Sequence, residues 1–404
     1  MQHPLVSIII PVIIPVYNGS NFMREAIDSA LAQTYPNIEI LVVNDGSTDN
    51  TREIALSYGD KIRYFEKENG GVATALNLAI REMKGEYFSW LSHDDWYTPD
   101  KVEAEMEALR ACGDMHRAVF SDCDFVQYPS GKRYRMHNLR YGKSLVETGW
   151  FAVAMGLISG CTLLIPKSYF DKFGVFDESV RAVNDYEQWF RMFKDRKLAY
   201  VDKSLVGSRV HEKQVTVTYA GMSAEEEQLW TWILEGLQDV DIKRSGLSLY
   251  LLYSTFLPRF FFKGWHKAER FLVNALQALD EPVDGEERRK QLKRKLYSEP
   301  SGVYVYCAGR VARRFLAALR WRGISVNGIS DRDSSKWGTT FESCRCIPPS
   351  EIPKDAKIIV ANAYPDEIVT QLKAQGFSHI ETSESWDYDL LMTPIKKELC
   401  EVLQ

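Results

Sequence analysis

Residues 5 to 91 alternate between two periodicities, and that alternation constrains the fold more than any other feature of the chain. "LVSIIIPVIIPVY" is a β-branched run, "NFMREAIDSALAQ" has its apolar residues at helical spacing, "IEILVVND" reads as a strand and "NTREIALSYG" as a helix. "KIRYFEK", "GVATALNLAIREMKG" and "EYFSWLSH" continue as strand, helix and strand. Helical crossovers join parallel strands, so the pattern predicts an α/β fold with a mostly parallel central sheet covered on both faces. Ligands of such sheets sit beyond the carboxyl ends of the strands. Tyr17 and Asn18, Asn44 and Asp45, and Asp94 and Asp95 all fall at such ends. One cluster of this kind is ordinary turn or helix-cap chemistry. Three at equivalent places predict a site.

The chain has 404 residues, enough for two or three domains. Its 45% hydrophobic and 26% charged residues are those of a folded protein and exclude wholesale disorder. A net charge of −5 lacks the basic footprint of a nucleic-acid binder, so no nucleic-acid partner is expected. A negatively charged ligand then needs a local device such as a metal ion. The seven cysteines are scattered and odd in number, which reads as reduced thiols and a cytoplasmic setting. The N-terminal stretch has no basic region ahead of its apolar run and carries prolines, so it reads poorly as a signal peptide. No run of about 18 apolar residues predicts a membrane span.

From about residue 221 the pattern becomes helical, and Pro258 is expected to break or kink the second helix. The aromatic and basic stretch from Phe256 to Lys267 reads either as helix core with a solvated basic edge or as an interfacial membrane patch. A third region opens at "SGVYVYCAGRVARRFLAALRWRG" and again alternates strand and helix, as a small Rossmann-like unit. Its turn "CAGRVA" has Cys307 and Ala312 where a dinucleotide fingerprint has glycines, leaving Gly309, while Asp331 ends the next strand where a ribose-binding acid would sit. The region is either a dinucleotide site or a structural module. Near the start, "IIPV" occurs twice, at 9–12 and 13–16. Proline fits a central strand poorly, so the first copy is expected to be displaced and the second, which leads into "YNG", to hold the functional register.

Five motifs in order, "PVYNG" at 15–19, "VVNDGSTDNT" at 42–51, "ENGGVATALN" at 68–77, "LSHDDWYTPDK" at 91–101 and "NDYEQW" at 184–189, resemble inverting family 2 glycosyltransferases of the GT-A fold. The resemblance covers about residues 5 to 215. It implies a GT-A catalytic domain at 1–220, followed by a helical extension at 221–298 and the Rossmann-like domain at 299–404. The implied reaction moves a sugar from a nucleotide-sugar donor, a UDP-sugar, to a saccharide or lipid-linked glycan acceptor, with peripheral contact at the inner face of the membrane.

On the residues that match, the resemblance implies that Asp94 binds Mn²⁺ or Mg²⁺ and the diphosphate, with Asp95 and His211 beside it. Such an ion carries the charge that develops on the leaving group. Ser92 stands where the family has a further Asp. Tyr17 and Asp45 would hold the uracil, since an ionised carboxylate accepts the imide N–H. Pro15, Asn18, Gly46, Ser47 and Asn69 would shape the pocket, with Gly70 and Gly71 admitting close backbone approach. Asp185 would be the general base that deprotonates the acceptor hydroxyl. Asn184 replaces the Glu often found before it, and Glu187 is the fallback base. Two rival readings follow: an NAD(P)-dependent oxidoreductase or epimerase acting through the C-terminal region, and a non-catalytic saccharide-binding scaffold.

Overall fold

The computed structural model describes residues 4–13, 20–237, 242, 243 and 245–401. The chain divides into two compact units, residues 1–237 and 238–404, so the helical stretch from 221 to 298 is shared between them.

In the first unit, strands β1 (Val6–Ile13), β2 (Ile38–Asp45), β3 (Arg63–Glu66) and β4 (Tyr87–Trp90) lie parallel in the order β3-β2-β1-β4. Helices α1 (Ser20–Leu31), α2 (Thr51–Leu56) and α3 (Val72–Glu82) lie between them in sequence, as the alternating pattern predicts. Beyond β4 the sheet becomes mixed. Strands β5 (Trp96–Tyr97), β6 (Val119–Gln127), β7 (Lys132–Arg135), β8 (Leu163–Pro166) and β9 (Ala199–Val210) extend it in the order β4-β8-β6-β9-β5, with β7 paired to β6. β6 and β9 are parallel, whereas β8 runs antiparallel to both β4 and β6. Fully buried Val6, Ile8, Val42, Ile27, Leu91 and Val119 belong to one core cluster that spans both halves of the sheet.

The first "IIPV" copy is not displaced. Pro11 sits within β1, in register with Val43 of β2. The N–H of Val6 bonds the Asn37 carbonyl on the β2 side, while the carbonyl of Ile9 accepts from Leu91 on the β4 side. Odd residues of β1 therefore face β4, whose pairing ends at Ile9 with Trp90. Pro11 points past that end, so its missing N–H removes no ladder bond.

Helix α4 (Lys101–Cys112) buries an ion pair completely, Lys101 Nζ to Glu105 Oε2 at 2.7 Å. Burial pushes the Glu105 carboxyl up to about 7, against the pull of Lys101. Glu105→Ala would strand the ammonium. We expect it to destabilise the unit by about 3–5 kcal/mol in chemical denaturation, whereas Lys101→Met combined with Glu105→Leu stays near wild type.

The second unit holds a six-stranded sheet. β10 (Val303–Tyr306), β11 (Gly328–Ser330), β12 (Thr340–Phe341), β13 (Cys344–Ile347), β14 (Lys357–Val360) and β15 (Ile380–Thr382) lie in the order β12-β13-β11-β10-β14-β15, parallel except for β12. Two apolar clusters, one around Val305 and Ile329 and one around Ile358 and Val360, belong to this sheet. The helix Leu249–Lys263 runs through Pro258 without ending. Burial of Phe256, Leu257 and Phe260 around the proline outweighs the lost backbone bond. The same residues show where the aromatic stretch goes: Phe256, Phe260 and Trp265 are buried, and Lys263 lies over the Trp265 ring at 4.8 Å. Among the described residues, no helix is long and apolar enough to cross a membrane.

Candidate functional site

The carboxyl end of β2 delivers Asn44 and Asp45, both fully buried. Asn44 Oδ1 accepts the N–H of Ser47, an Asx-type turn that fixes the backbone as it leaves the strand. Asp45 is held from two sides. Its Oδ1 meets Lys67 Nζ at 2.6 Å, and its oxygens accept the N–H groups of Gly70 at 3.0 Å and Gly71 at 2.7 Å. This carboxylate, expected to face a base, is thus committed to the loop that opens α3. Lys67 is a partner that the sequence reading missed, although "EKENGG" lay beside a named motif.

Gly46 has a reason to be glycine. Its φ is +78°, and a Cβ there would lie 2.8 Å from the backbone nitrogen of Asn69. Gly46→Ala is expected to cost about 1–2 kcal/mol for the left-handed backbone and to push Asn69 and the loop off Asp45. Thermal unfolding and nucleotide titration together would check it, and unchanged values in both would refute the assignment.

The second cluster is built by strand pairing. β5 is antiparallel to β9, with Trp96 opposite Gly207 and Tyr97 opposite Val206. Continuing that register sets Asp95 and Asp94 beside Ser208 and Arg209. The N–H of Arg209 donates to Asp95 Oδ1 at 2.8 Å, and its guanidinium donates to the Asp94 carbonyl at 2.9 Å and to Glu25 at 2.7 Å. The guanidinium carbon also lies 4.1 Å from the centre of the Phe22 ring and 4.9 Å from that of Trp96. Arg209 therefore fastens the "HDD" loop to β9, and no sequence motif singled it out.

Asp94 and Asp95 then part company. Asp94 Oδ2 lies 3.1 Å from His211 Nε2, and both side chains keep a tenth of their surface open. Burial alone would raise the Asp94 carboxyl, but the hydrogen bond from His211 and the neighbouring His93 hold it below the usual range. Asp95 does not join that pair. Its second oxygen lies 3.5 Å from Cys161 Sγ, and burial, reinforced by the charge of Asp94, drives its carboxyl well above the ordinary value. The N–H of Asp95 donates to the Ser92 carbonyl at 3.1 Å, closing a turn that sends the Asp95 carboxyl inward while Asp94 faces His211, an orientation that stands against the metal role expected of Asp95. Ser92 follows it inward, its N–H donating to Cys161 Sγ at 3.3 Å. His93, which the motif reading passed over, is buried with no partner for its Nε2, and burial lowers its pKa.

A carboxylate just before β5 and an imidazole just after β9 fit a hard divalent ion that takes its remaining ligands from a diphosphate and water. Among the described residues there is no group of three or more His, Cys, Asp or Glu side chains able to hold an ion alone. The N–H of Lys213 donates to His211 Nδ1 at 3.3 Å, which leaves the ring proton on Nε2, facing Asp94. An ion taking that place requires the proton to move to Nδ1.

Asp185 lies in the first turn of the helix Asn184–Phe193, whose inner face buries Gln188, Trp189, Phe190 and Phe193. Asn184 Nδ2 donates to the carbonyls of Val180 and Arg181, each at 3.2 Å, and so ties the preceding loop to the helix. Burial raises the Asp185 carboxyl to about 6, against the pull of the Tyr186 N–H at 2.8 Å. Glu187, the fallback base, is paired with Arg191 at 2.6 Å. A cavity of about 640 Å³ lies beside Asn184; Asn69, Gly70 and Gly71 form one wall and Arg181 and Tyr219 another. The cavity thus joins the loop that holds Asp45 to the helix that carries Asp185. Pro15, Tyr17 and Asn18 lie outside the described residues.

In the second unit, Asp331 Oδ2 accepts the Ala308 N–H at 2.7 Å and Lys336 Nζ at 2.9 Å. The acid that a dinucleotide site would place at a ribose is bonded to the turn itself.

The sequence profile of glycosyl transferase family 2 matches residues 12–173. An uncharacterized glycosyltransferase of Rickettsia typhi is 50% identical over 235 residues, which are 58% of this chain and 73% of that protein. Glycosyltransferase GlyA of Streptococcus pneumoniae is 33% identical over 215 residues, 50% of this chain and 31% of that protein. The crystal structure of S. aureus TarS 1–349 in complex with UDP-GlcNAc aligns with a TM-score of 0.48 and 16% identity, covering 77% of this chain and 81% of TarS 1–349.

Proposed function

The chain belongs to glycosyl transferase family 2, and from that premise we propose that its first unit transfers a sugar, with inversion, from a UDP-sugar to a saccharide or lipid-linked glycan acceptor. The observation that carries the reading is Asp185, a carboxylate without a cationic partner among the described residues, held near pKa 6 on the helix that borders the cavity. At neutral pH it is ionised, and its pKa lies close enough to that pH for it to serve as general base. Glu187, neutralised by Arg191, is the poorer candidate.

Donor binding falls to the strand ends. The Asp45 loop fixes Asn69, Gly70 and Gly71 as a shelf with exposed backbone, and Asp94 with His211 faces the diphosphate. A bound Mn²⁺ or Mg²⁺ there would offset the charge gathering on the departing nucleotide. Asp185 removes the proton from the acceptor hydroxyl as that oxygen attacks the anomeric carbon, and Arg209 keeps the Asp94 backbone in place meanwhile. The second unit serves as a structural or docking module of Rossmann-like build, since Asp331 is already occupied by Ala308 and Lys336.

The test is a panel of UDP-, dTDP- and GDP-sugars incubated with the chain and glycan acceptors, reading nucleotide release and the product's anomeric configuration by NMR. Release of UDP with an inverted product supports the reading. Retention of configuration would overturn the inverting mechanism, and no nucleotide release alongside NAD(P)H binding by fluorescence would overturn the reading in favour of the oxidoreductase.

A further inference from the structure

A second hollow, of about 400 Å³, adjoins the cavity beside Asn184. Ser179 and Val180 line both, so the loop they belong to is a low wall between two chambers. The second chamber has an apolar floor of Val183 and Leu229, both buried, and an aromatic side made by Trp232, which is 40% exposed. Its polar groups are Glu187, Glu225 and Gln228, and no lysine or arginine is among the described residues that line it.

The chamber is organised in advance. The Trp232 ring is braced edge-on by Phe190 at 5.1 Å. Glu225 accepts the Ala182 N–H and the Tyr219 hydroxyl, both at 2.8 Å, and so pins the dividing loop to the wall of the first cavity. A half-exposed aromatic ring beside carboxylate and amide groups matches a pyranose, which offers an apolar C–H face and a rim of hydroxyls. With Glu187 neutralised by Arg191, the Glu225 carboxylate is the charge that disfavours a phosphate-bearing group in the same place.

We propose that this hollow is an extension subsite for a neutral oligosaccharide acceptor. The sugar to be modified sits in the first cavity against Asn184, on the helix that carries Asp185, and the next unit of the acceptor crosses Ser179 and Val180 to lie on Trp232. The proposal rests on the glycosyltransferase reading above, and it narrows the acceptor from any glycan to an uncharged one of at least two or three units. Preformed rings and pinned loops favour this occupant, because little ordering is left to do on binding.

The experiment is a glycan array carrying neutral, acidic and phosphorylated mono- to tetrasaccharides, probed with the full chain and with Trp232→Ala, Gln228→Ala and Asp94→Ala. UDP titration of the Trp232 and Gln228 variants reports that each is folded with its donor side in order, and circular dichroism with thermal unfolding reports the fold of Asp94→Ala. The expected result is retention of neutral tri- or tetrasaccharides at least tenfold above phosphorylated ones of equal length, lost tenfold or more in Trp232→Ala and about threefold in Gln228→Ala, but kept in Asp94→Ala. Retention unaffected by both Trp232→Ala and Gln228→Ala, a preference for phosphorylated glycans or monosaccharides, or no retention of neutral glycans would overturn it. The two ideas separate cleanly. Trp232-dependent glycan retention without binding of any nucleotide removes the glycosyltransferase reading and leaves the subsite, whereas nucleotide binding with Trp232-independent retention does the reverse.

Discussion

Asp185→Asn is expected to lower sugar transfer by about 100-fold or more while leaving donor affinity within about twofold, the size usual for loss of a general base. The amide keeps the shape and the Tyr186 N–H contact but cannot take a proton. The pH profile gives a second readout. Burial raises the carboxyl from 3.8 to about 6, and only the ionised form is a base, so transfer by the unaltered chain should climb through about pH 6 and level off above it. In Asp185→Asn that limb should be gone from whatever activity remains. Folding responds in the opposite sense: the native carboxyl holds its proton where the unfolded one has lost it, so its contribution to stability is full below about pH 4 and is lost as pH rises through 6. Near-normal turnover in Asp185→Asn, or a limb that persists, would move the base elsewhere.

Asp94→Ala should abolish the dependence of nucleotide binding on metal. For the unaltered chain we expect UDP to bind at least tenfold more tightly with Mn²⁺ than without, about 1.4 kcal/mol, by calorimetry. In Asp94→Ala the two titrations should coincide, because the remaining imidazole of His211 holds a hard cation poorly without a carboxylate beside it. His211→Ala should show a smaller loss. Asp95→Asn separates the two aspartates: its carboxyl is turned toward Cys161 and the Arg209 N–H, and the amide keeps the Arg209 bond while removing a buried acid whose ionisation is disfavoured, so the substitution should keep both thermal stability and the metal effect. Metal-stimulated UDP binding that survives Asp94→Ala and vanishes in Asp95→Asn would reverse these roles.

Much of this was legible in the residues. The strand and helix periods from β1 to β4 are local properties, fixed by side-chain alternation and by apolar spacing within a few residues. Asp45 and Asp94 stood at strand ends that the same periods locate, and Asp185 is marked by the resemblance of "NDYEQW" to the family's motif. Other features were not local. Arg209 is 115 residues from the Asp94 carbonyl it holds, and Cys161 is 66 from Asp95. No period links such pairs, and they meet because β9 returns against β5 and β8 lies between β4 and β6. The expectation for Pro11 missed for a related reason. Whether a proline harms a strand depends on which neighbour its nitrogen faces and where that neighbour ends.

By itself, then, the sequence determined the alternating α/β order, the family to which the chain belongs, and the three carboxylates that stand at its candidate site. Only the tertiary structure decided how those carboxylates are used. It committed Asp45 to Lys67 and the glycine loop, paired Asp94 with His211, and turned Asp95 inward. It also left Asp185 without an ionic partner among the described residues while pairing Glu187 with Arg191. The physical reason is that residue type and spacing set what a side chain can do, whereas direction, burial and partner are set by strand register and by packing across distant segments.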